Sequence, residues 1–308
     1  MAVSLIEAKK LAPDPLTQGV IQVFLESHPI MEKLIFEPTR SGWSYNQEGT
    51  LPGIAFRGVN ESYTESSGVI NPAFDPLVIA GGDIDVDNHI VRNRGPQVRA
   101  AHVAMKLKAL AHTIAHKFIK GDQGSDPREF YGLQARLAGA QKIAAGSASG
   151  GDALSLAKLD ALLRAVDGAN MIICSQAMKG LLQTAARSTS VGGYVTYLPD
   201  QFGMPVLKYN GIPIIEADPN GALYASLDFT EANPGGGTAA STSIYAVNMS
   251  PGMCFMIQNE AGIIAKDLGE QDSKPVSRTR VEWDVGLVLE HPRAAARLWG
   301  VKNAAVAA

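Results

Sequence analysis

The chain has 308 residues, 46% hydrophobic and 19% charged, with a formal net charge of −3. That apolar fraction supports a sizeable core and excludes a wholly disordered chain, and the length suits two domains or one core with large excursions. The small net charge excludes a global basic field, so any contact with nucleic acid must come from a local patch. Cys174 and Cys254 lie far apart in the apolar runs MIICS and MCFMI, a pattern of buried thiols rather than a metal pair or disulfide framework. MAVSLIEAKK places charges where a signal peptide needs its apolar stretch, and no apolar run approaches the roughly 20 residues of a membrane span. A soluble protein made in the cytoplasm, without membrane contact, is the expectation.

The first 40 residues read as an arm. Asp14 and Pro15 form a helix start, Leu16, Val20 and Phe24 share one face, and Ser27-His28-Pro29 stops the helix. From 41 to about 75 the composition shifts to glycine, hydroxyl and aromatic residues. Trp43 and Tyr45 alternate, and Gly49, Pro52 and Gly53 fall near the middle, which predicts two extended limbs joined by a turn. Few large aliphatics are present, and a two-stranded projection is marginal alone in water. Its residues Trp43, Tyr45, Leu51, Ile54, Phe56, Arg57, Asn60 and Tyr63 are therefore expected to be held by other copies of the chain.

LVIAGGDIDVDNHIV reads as a strand region, with Ile84 and Val86 on one face and Asp83, Asp85 and Asp87 on the other. A long helix is predicted over 96–119, its apolar stripe formed by Val103, Leu107, Leu110, Ile114 and Phe118. At 1.5 Å per residue it spans about 36 Å, the length of a spine. Strands are expected over 142–145, 171–174, 194–197, 205–209, 212–216 and 243–248, with helices around Leu156–Val166 and over 176–186. A last strand over 276–289 places Val281, Trp283, Val285, Leu287 and Leu289 on one face. There is no internal repeat, and the class is α+β.

Patterns for chemistry fail one after another. His112 and His116 have the i, i+4 spacing of a zinc helix, but Thr113 stands where a metalloprotease needs Glu, so surface or interface histidines are expected. Asp83, Asp85 and Asp87 lack the calcium-loop Gly and Glu, whose positions hold Asn88 and Arg94. Like charges on one strand face call for cations, and Arg92 and Arg94, or an arginine of the last strand, are the simplest source. GSASG is no nucleophile elbow, and no phosphate-binding glycine loop is present. Neither a cofactor nor catalysis is expected. A basic stripe of Arg99, His102, Lys106, Lys117 and Lys120 on the long helix is a solvated face or a surface facing DNA phosphates.

The order of parts resembles the Hong Kong 97-type fold of tailed-bacteriophage major capsid proteins. SYNQEGTLPGIAFRGVNESYTE over 44–65 resembles that family's extended loop. GGDIDVDNHI resembles the strand leading into the spine helix, FIKGD with FYGL the helix exit, and YNGIPII a strand of the axial domain. The resemblance implies an N-arm (1–40), an extended loop (41–75), a peripheral domain with the spine helix (76–167), an axial domain (168–275) and a return to the peripheral domain (276–308). It also implies homopentamers and homohexamers closing an icosahedral shell in the virion, around double-stranded DNA bound without sequence preference. A separate scaffolding protein, a portal and a decoration protein are the implied partners. Some relatives cross-link through a loop lysine; 41–77 contains none, so a shell without covalent links is expected. The alternatives are an encapsulin-like compartment and, more remotely, a metal-dependent hydrolase using Asp83, Asp85, Asp87, His112 and His116.

Overall fold

The computed structural model describes residues 3–4, 28–187, 195–199, 205–218, 224–238 and 240–307. The helix expected over 14–26 lies outside the described residues. His28 and Pro29, read above as a helix stop, instead start one: α1 (Pro29–Lys33) has the His28 imidazole as its N-cap, accepting from the Ile30 amide at 3.2 Å.

Two sheets and a hairpin carry the fold. The six-stranded sheet runs β1 (Val3–Ser4), β2 (Ile35–Thr39), β12 (Cys254–Asn259), β14 (Lys274–Leu289), β13 (Ile264–Gln271), with β5 (Val78–Asp87) paired to the other edge of β14. The seven-stranded sheet runs β6 (Lys142–Ala144), β15 (Ala295–Lys302), β11 (Ser241–Val247), β7 (Met171–Cys174), β10 (Ile212–Glu216), β9 (Pro205–Tyr209), β8 (Val195–Pro199). β3 (Trp43–Thr50) and β4 (Val69–Asp75) pair with each other as a separate two-stranded hairpin.

β12 and β13 belong to the sheet of β14 and β5, while β15 lies between β6 and β11 in the other sheet. Strands of like pattern do not reveal their partners, because pairing is settled by distant segments.

The spine, α3 (Gln97–Lys120), buries Leu107, Leu110, Ile114 and Phe118 against the apolar face of β14, where Val281, Trp283, Val285 and Leu287 are fully buried. The strand expected through Val91 ends earlier: Asp87 accepts from the His89 amide at 2.7 Å and caps the short helix α2 (Asn88–Arg94). Gly95, at φ +87°, then turns the chain into α3.

β7 is buried on both faces. Met171 and Ile173 face the spine-side core, and Ile172 and Cys174 face a second core beneath α5 (Leu156–Ala165) and α6 (Gln176–Ala186). Burial pushes the thiols of both Cys174 and Cys254 up to about 12, so neither is a nucleophile at neutral pH.

At the helix exit, Gly121 and Gly132 lie back to back. The Gly132 amide donates to the Gly121 carbonyl at 2.9 Å, and a Cβ on either would stand 2.5 Å from the Lys117 carbonyl oxygen. The phrases FIKGD and FYGL are thus the two halves of one close backbone crossing.

Candidate assembly surfaces

The root of the hairpin is fixed to its own chain. Trp43 packs edge-on to Phe255, 5.2 Å between centroids, and with Tyr45 and Leu77 covers Phe255, Ile257 and Val288 on the outer face of the six-stranded sheet. Tyr45 donates to Asp75 at 3.1 Å, and Arg136, on α4 (Leu133–Arg136), grips both oxygens of Asp75 at 3.0 and 2.6 Å. Trp43 and Tyr45 were expected to be held by other copies; within this chain they already have a partner, because the two-residue period presents them to Phe255.

Beyond the root the surroundings change. Residues 51–68 form two limbs, held together where Ser66 Oγ donates to Gly53 O at 2.8 Å. They end in a turn over 58–61, with Asn60 at φ +67°, beyond the Gly49–Gly53 region where sequence placed it. Glu61 Oε2 accepts from the Gly58 amide at 2.8 Å, and Arg57 donates to Glu61 O at 3.1 Å while lying 5.2 Å from the Tyr63 ring centroid. The tip is therefore a built turn. Ile54, Phe56 and Val59 project from it at 94, 103 and 93% exposure, with Leu51 and Tyr63 also exposed. Val59, Val69, Ile70 and Phe74 join the exposed set; polar neighbours in sequence conceal them.

Of the two cation sources expected for the aspartate cluster, the arginines of the last strand supply the partners. Arg280 makes a two-pronged pair with Asp83 (2.7 and 3.0 Å), and Arg278 with Asp85 (2.6 and 2.7 Å), across the β5–β14 register. These arginines, reached by long-range pairing, hold both carboxyls below their usual range. Arg92 and Arg94, expected in this network, form no ion pair with it among the described residues, because Asp87 ends the strand and carries them away on α2. Among the described residues no three His, Cys, Asp or Glu side chains gather as a metal site requires.

Most of the basic stripe is engaged within the chain. Arg99 pairs with Asp267 and donates to Thr279, Lys117 meets Glu129 at 2.5 Å, and Lys120 meets Asp228 at 3.5 Å. Lys106 lies over Gly82, where a Cβ would stand 2.8 Å from its Nζ. His112, expected at a surface or interface, is buried edge-on to His28, with neither ring nitrogen hydrogen-bonded. His116 meets Ser226 at 3.0 Å.

The turn after the spine opens on a cleft of about 490 Å³, lined by Lys120, Gln134, Lys142, Glu231, Arg297 and Trp299 among others. At its floor, Arg297 donates to Glu231 Oε2 at 2.9 Å and to Ser243 Oγ at 2.9 Å, all three side chains buried. Lys142 Nζ caps the Trp299 ring at 4.0 Å.

Solved structures distant in sequence share the fold. The chain aligns over 100% of its length with 99% of a subunit of the holo-SrpI encapsulin complex from Synechococcus elongatus PCC 7942, at 15% identity and a TM-score of 0.65. It covers 86% of a capsid chain of a native GTA particle with 85% of its own length (13%, TM-score 0.59). For a chain of Microbacterium phage Oxtober96 the shares are 87% of this chain and 89% of that one (12%, TM-score 0.60). No family model and no curated protein matches the sequence. The chain has the Hong Kong 97-type fold that phage capsids and encapsulins share, an α+β fold of shell proteins.

Proposed function

We propose that this chain is the major capsid subunit of a tailed bacteriophage, closing as pentamers and hexamers into an icosahedral shell around double-stranded DNA. It acts as a building unit rather than as a catalyst. The observation that carries this reading is the hairpin, anchored at its root and bearing fully exposed Ile54, Phe56 and Val59 at a pre-formed tip. Large exposed apolar groups on an ordered projection are costly in water and mark an interaction surface. The near-complete alignment with shell subunits agrees with it. Assembly occurs in the host cytoplasm, with a scaffolding protein and portal as partners and a decoration protein as an optional addition. Carboxylates of the same chain pair with Arg99, Lys117 and Lys120, so the spine offers DNA phosphates little unpaired charge at these three residues.

A second reading, an encapsulin-like compartment enclosing protein, has one observation in its favour: end-to-end alignment with the SrpI encapsulin subunit. Expression of the chain followed by negative-stain imaging tests the shared part, with closed particles or ring-shaped capsomers expected. A monomer under every assembly condition overturns both readings. Nuclease-protected DNA in particles from the natural source supports the capsid, and enclosed protein without DNA supports the compartment.

A further inference from the structure

Three histidines gather where the two sheets join, and the proposed shell role uses none of them. His28 caps α1, His112 and His116 stand one turn apart on the spine, and Ala217 and Asp218 follow β10. The His28 ring, 3% exposed, spans the joint. Its Nδ1 accepts from the Ile30 amide at 3.2 Å, which leaves the proton on Nε2 to meet the Ala217 carbonyl at 3.1 Å. One imidazole thus caps the helix that leads into the six-stranded sheet and ties it to a strand of the seven-stranded one. His112 lies edge-on to it at 5.4 Å, buried, with neither nitrogen hydrogen-bonded among the described residues. His116 meets Ser226 Oγ at 3.0 Å, and Asp218 accepts from the Ser226 and Leu227 amides at 2.5 and 2.7 Å.

This arrangement holds only while the rings are neutral. A second proton on His28 sets an N–H against the Ile30 amide, itself a donor, so the cap is lost whatever the pH at which the proton arrives. His112 has no acceptor at hand for an imidazolium, and its unmet nitrogens are a cost that opening the joint recovers. The two rings repel when both are charged. Lys108 faces His112, and Lys117 and Lys120 face His116; Asp218 opposes them at His28 and His116, and Glu129 at His116. On α1 itself Glu32 and Lys33 pair with each other at 3.5 Å. Burial is the largest cause that holds all three rings below the usual histidine range, His28 at about 4. With five residues, α1 has little helical hydrogen bonding of its own to resist release.

We infer that His28, His112 and His116 form a proton-operated latch, whose protonation frees α1, Ala217–Asp218 and Ser226–Leu227 from the spine while both sheets stay folded. The event is local, distinct from the loss of the whole fold in acid.

Hydrogen exchange read by mass spectrometry on the full chain tests it, at pH 7 and 4.5, with each rate divided by the chemical rate at that pH. Protection over 29–34 and 224–227 should fall roughly 60-fold from His28 alone. At pH 4.5 these peptides should exchange ahead of 281–289 in β14, and low urea should speed them little, because a local opening exposes little surface. His28→Asn with His112→Phe keeps a capping acceptor and an aromatic ring without the two protons, and should lose less than about fivefold. The latch is overturned if protection over 29–34 is unchanged between the two pH values, or if the double variant loses as much as wild type. It is equally overturned if 29–34 and 281–289 exchange together with the same urea dependence, since only global unfolding then releases α1. Should the double variant not fold, the wild-type pH and urea dependence decides alone.

Discussion

The His28 ring is held at both nitrogens: Nδ1 accepts from the Ile30 amide, so Nε2 carries the proton that meets the Ala217 carbonyl at 3.1 Å. Burial, helped by neighbouring His112 and opposed by Asp218, lowers its pKa from 6.5 to about 4. Burial lowers His112 with help from Lys108, and His116 with help from Lys117 and Lys120 against Asp218 and Glu129. The unfolded chain takes up these protons first, so stability is complete above about pH 6.5 and falls as pH drops toward 4. For His28 alone the loss is roughly 3 kcal/mol. His28→Asn keeps a capping acceptor without the titration, and its denaturation midpoint should fall less than wild type between pH 7 and 4.5; parallel curves would remove His28 from the account. The Arg136–Asp75 pair makes a second test, because both side chains are largely buried. Arg136→Leu leaves a buried carboxylate uncompensated and should cost about 3–5 kcal/mol, whereas Arg136→Leu with Asp75→Asn should cost much less. Urea titration of the three proteins measures the difference.

At the level of elements, local signals made the spine legible and long-range ones hid its surroundings. The i, i+3 and i, i+4 recurrence of Leu107, Leu110, Ile114 and Phe118 placed the helix within one residue at either end. Strands Met171–Cys174, Pro205–Tyr209 and Ile212–Glu216 were equally plain, because turn residues bracket short apolar runs. What sequence leaves open is which strand pairs with which: an arginine of the last strand is one expected partner for these aspartates, but the register that sets Arg280 on Asp83 and Arg278 on Asp85, almost 200 residues away, is not legible locally. Glu231 and Arg297 are hidden for the same reason. The Gly121–Gly132 crossing gives an element-scale prediction. Gly132→Ala places a methyl against backbone on two sides, where nothing can rotate away, and should destabilise by about 1–3 kcal/mol in thermal unfolding. Deleting 49–57 touches no core residue and should leave circular dichroism and melting unchanged while closed particles are lost. Normal particles from that deletion would show that the hairpin is not a strap.

For the whole molecule, the proposed shell role together with the lack of any lysine in the hairpin predicts a particle without covalent links through that loop. Particles boiled in detergent should run as a single band at the chain mass of 32.6 kDa, with no ladder of linked forms. Cohesion then comes from many weak contacts, so moderate denaturant should take particles apart before subunits unfold, and size-exclusion chromatography with circular dichroism resolves the two transitions. The exposed tip has a further effect before any shell exists. A newly made subunit presents Ile54, Phe56 and Val59 to every other protein around it, and the risk of a wrong partner grows with each second that no correct one arrives. The chain held concentrated without partners should therefore precipitate where a dilute solution does not. On the proposed shell role, the rate at which copies are supplied, as much as their affinity, then sets the yield of closed particles.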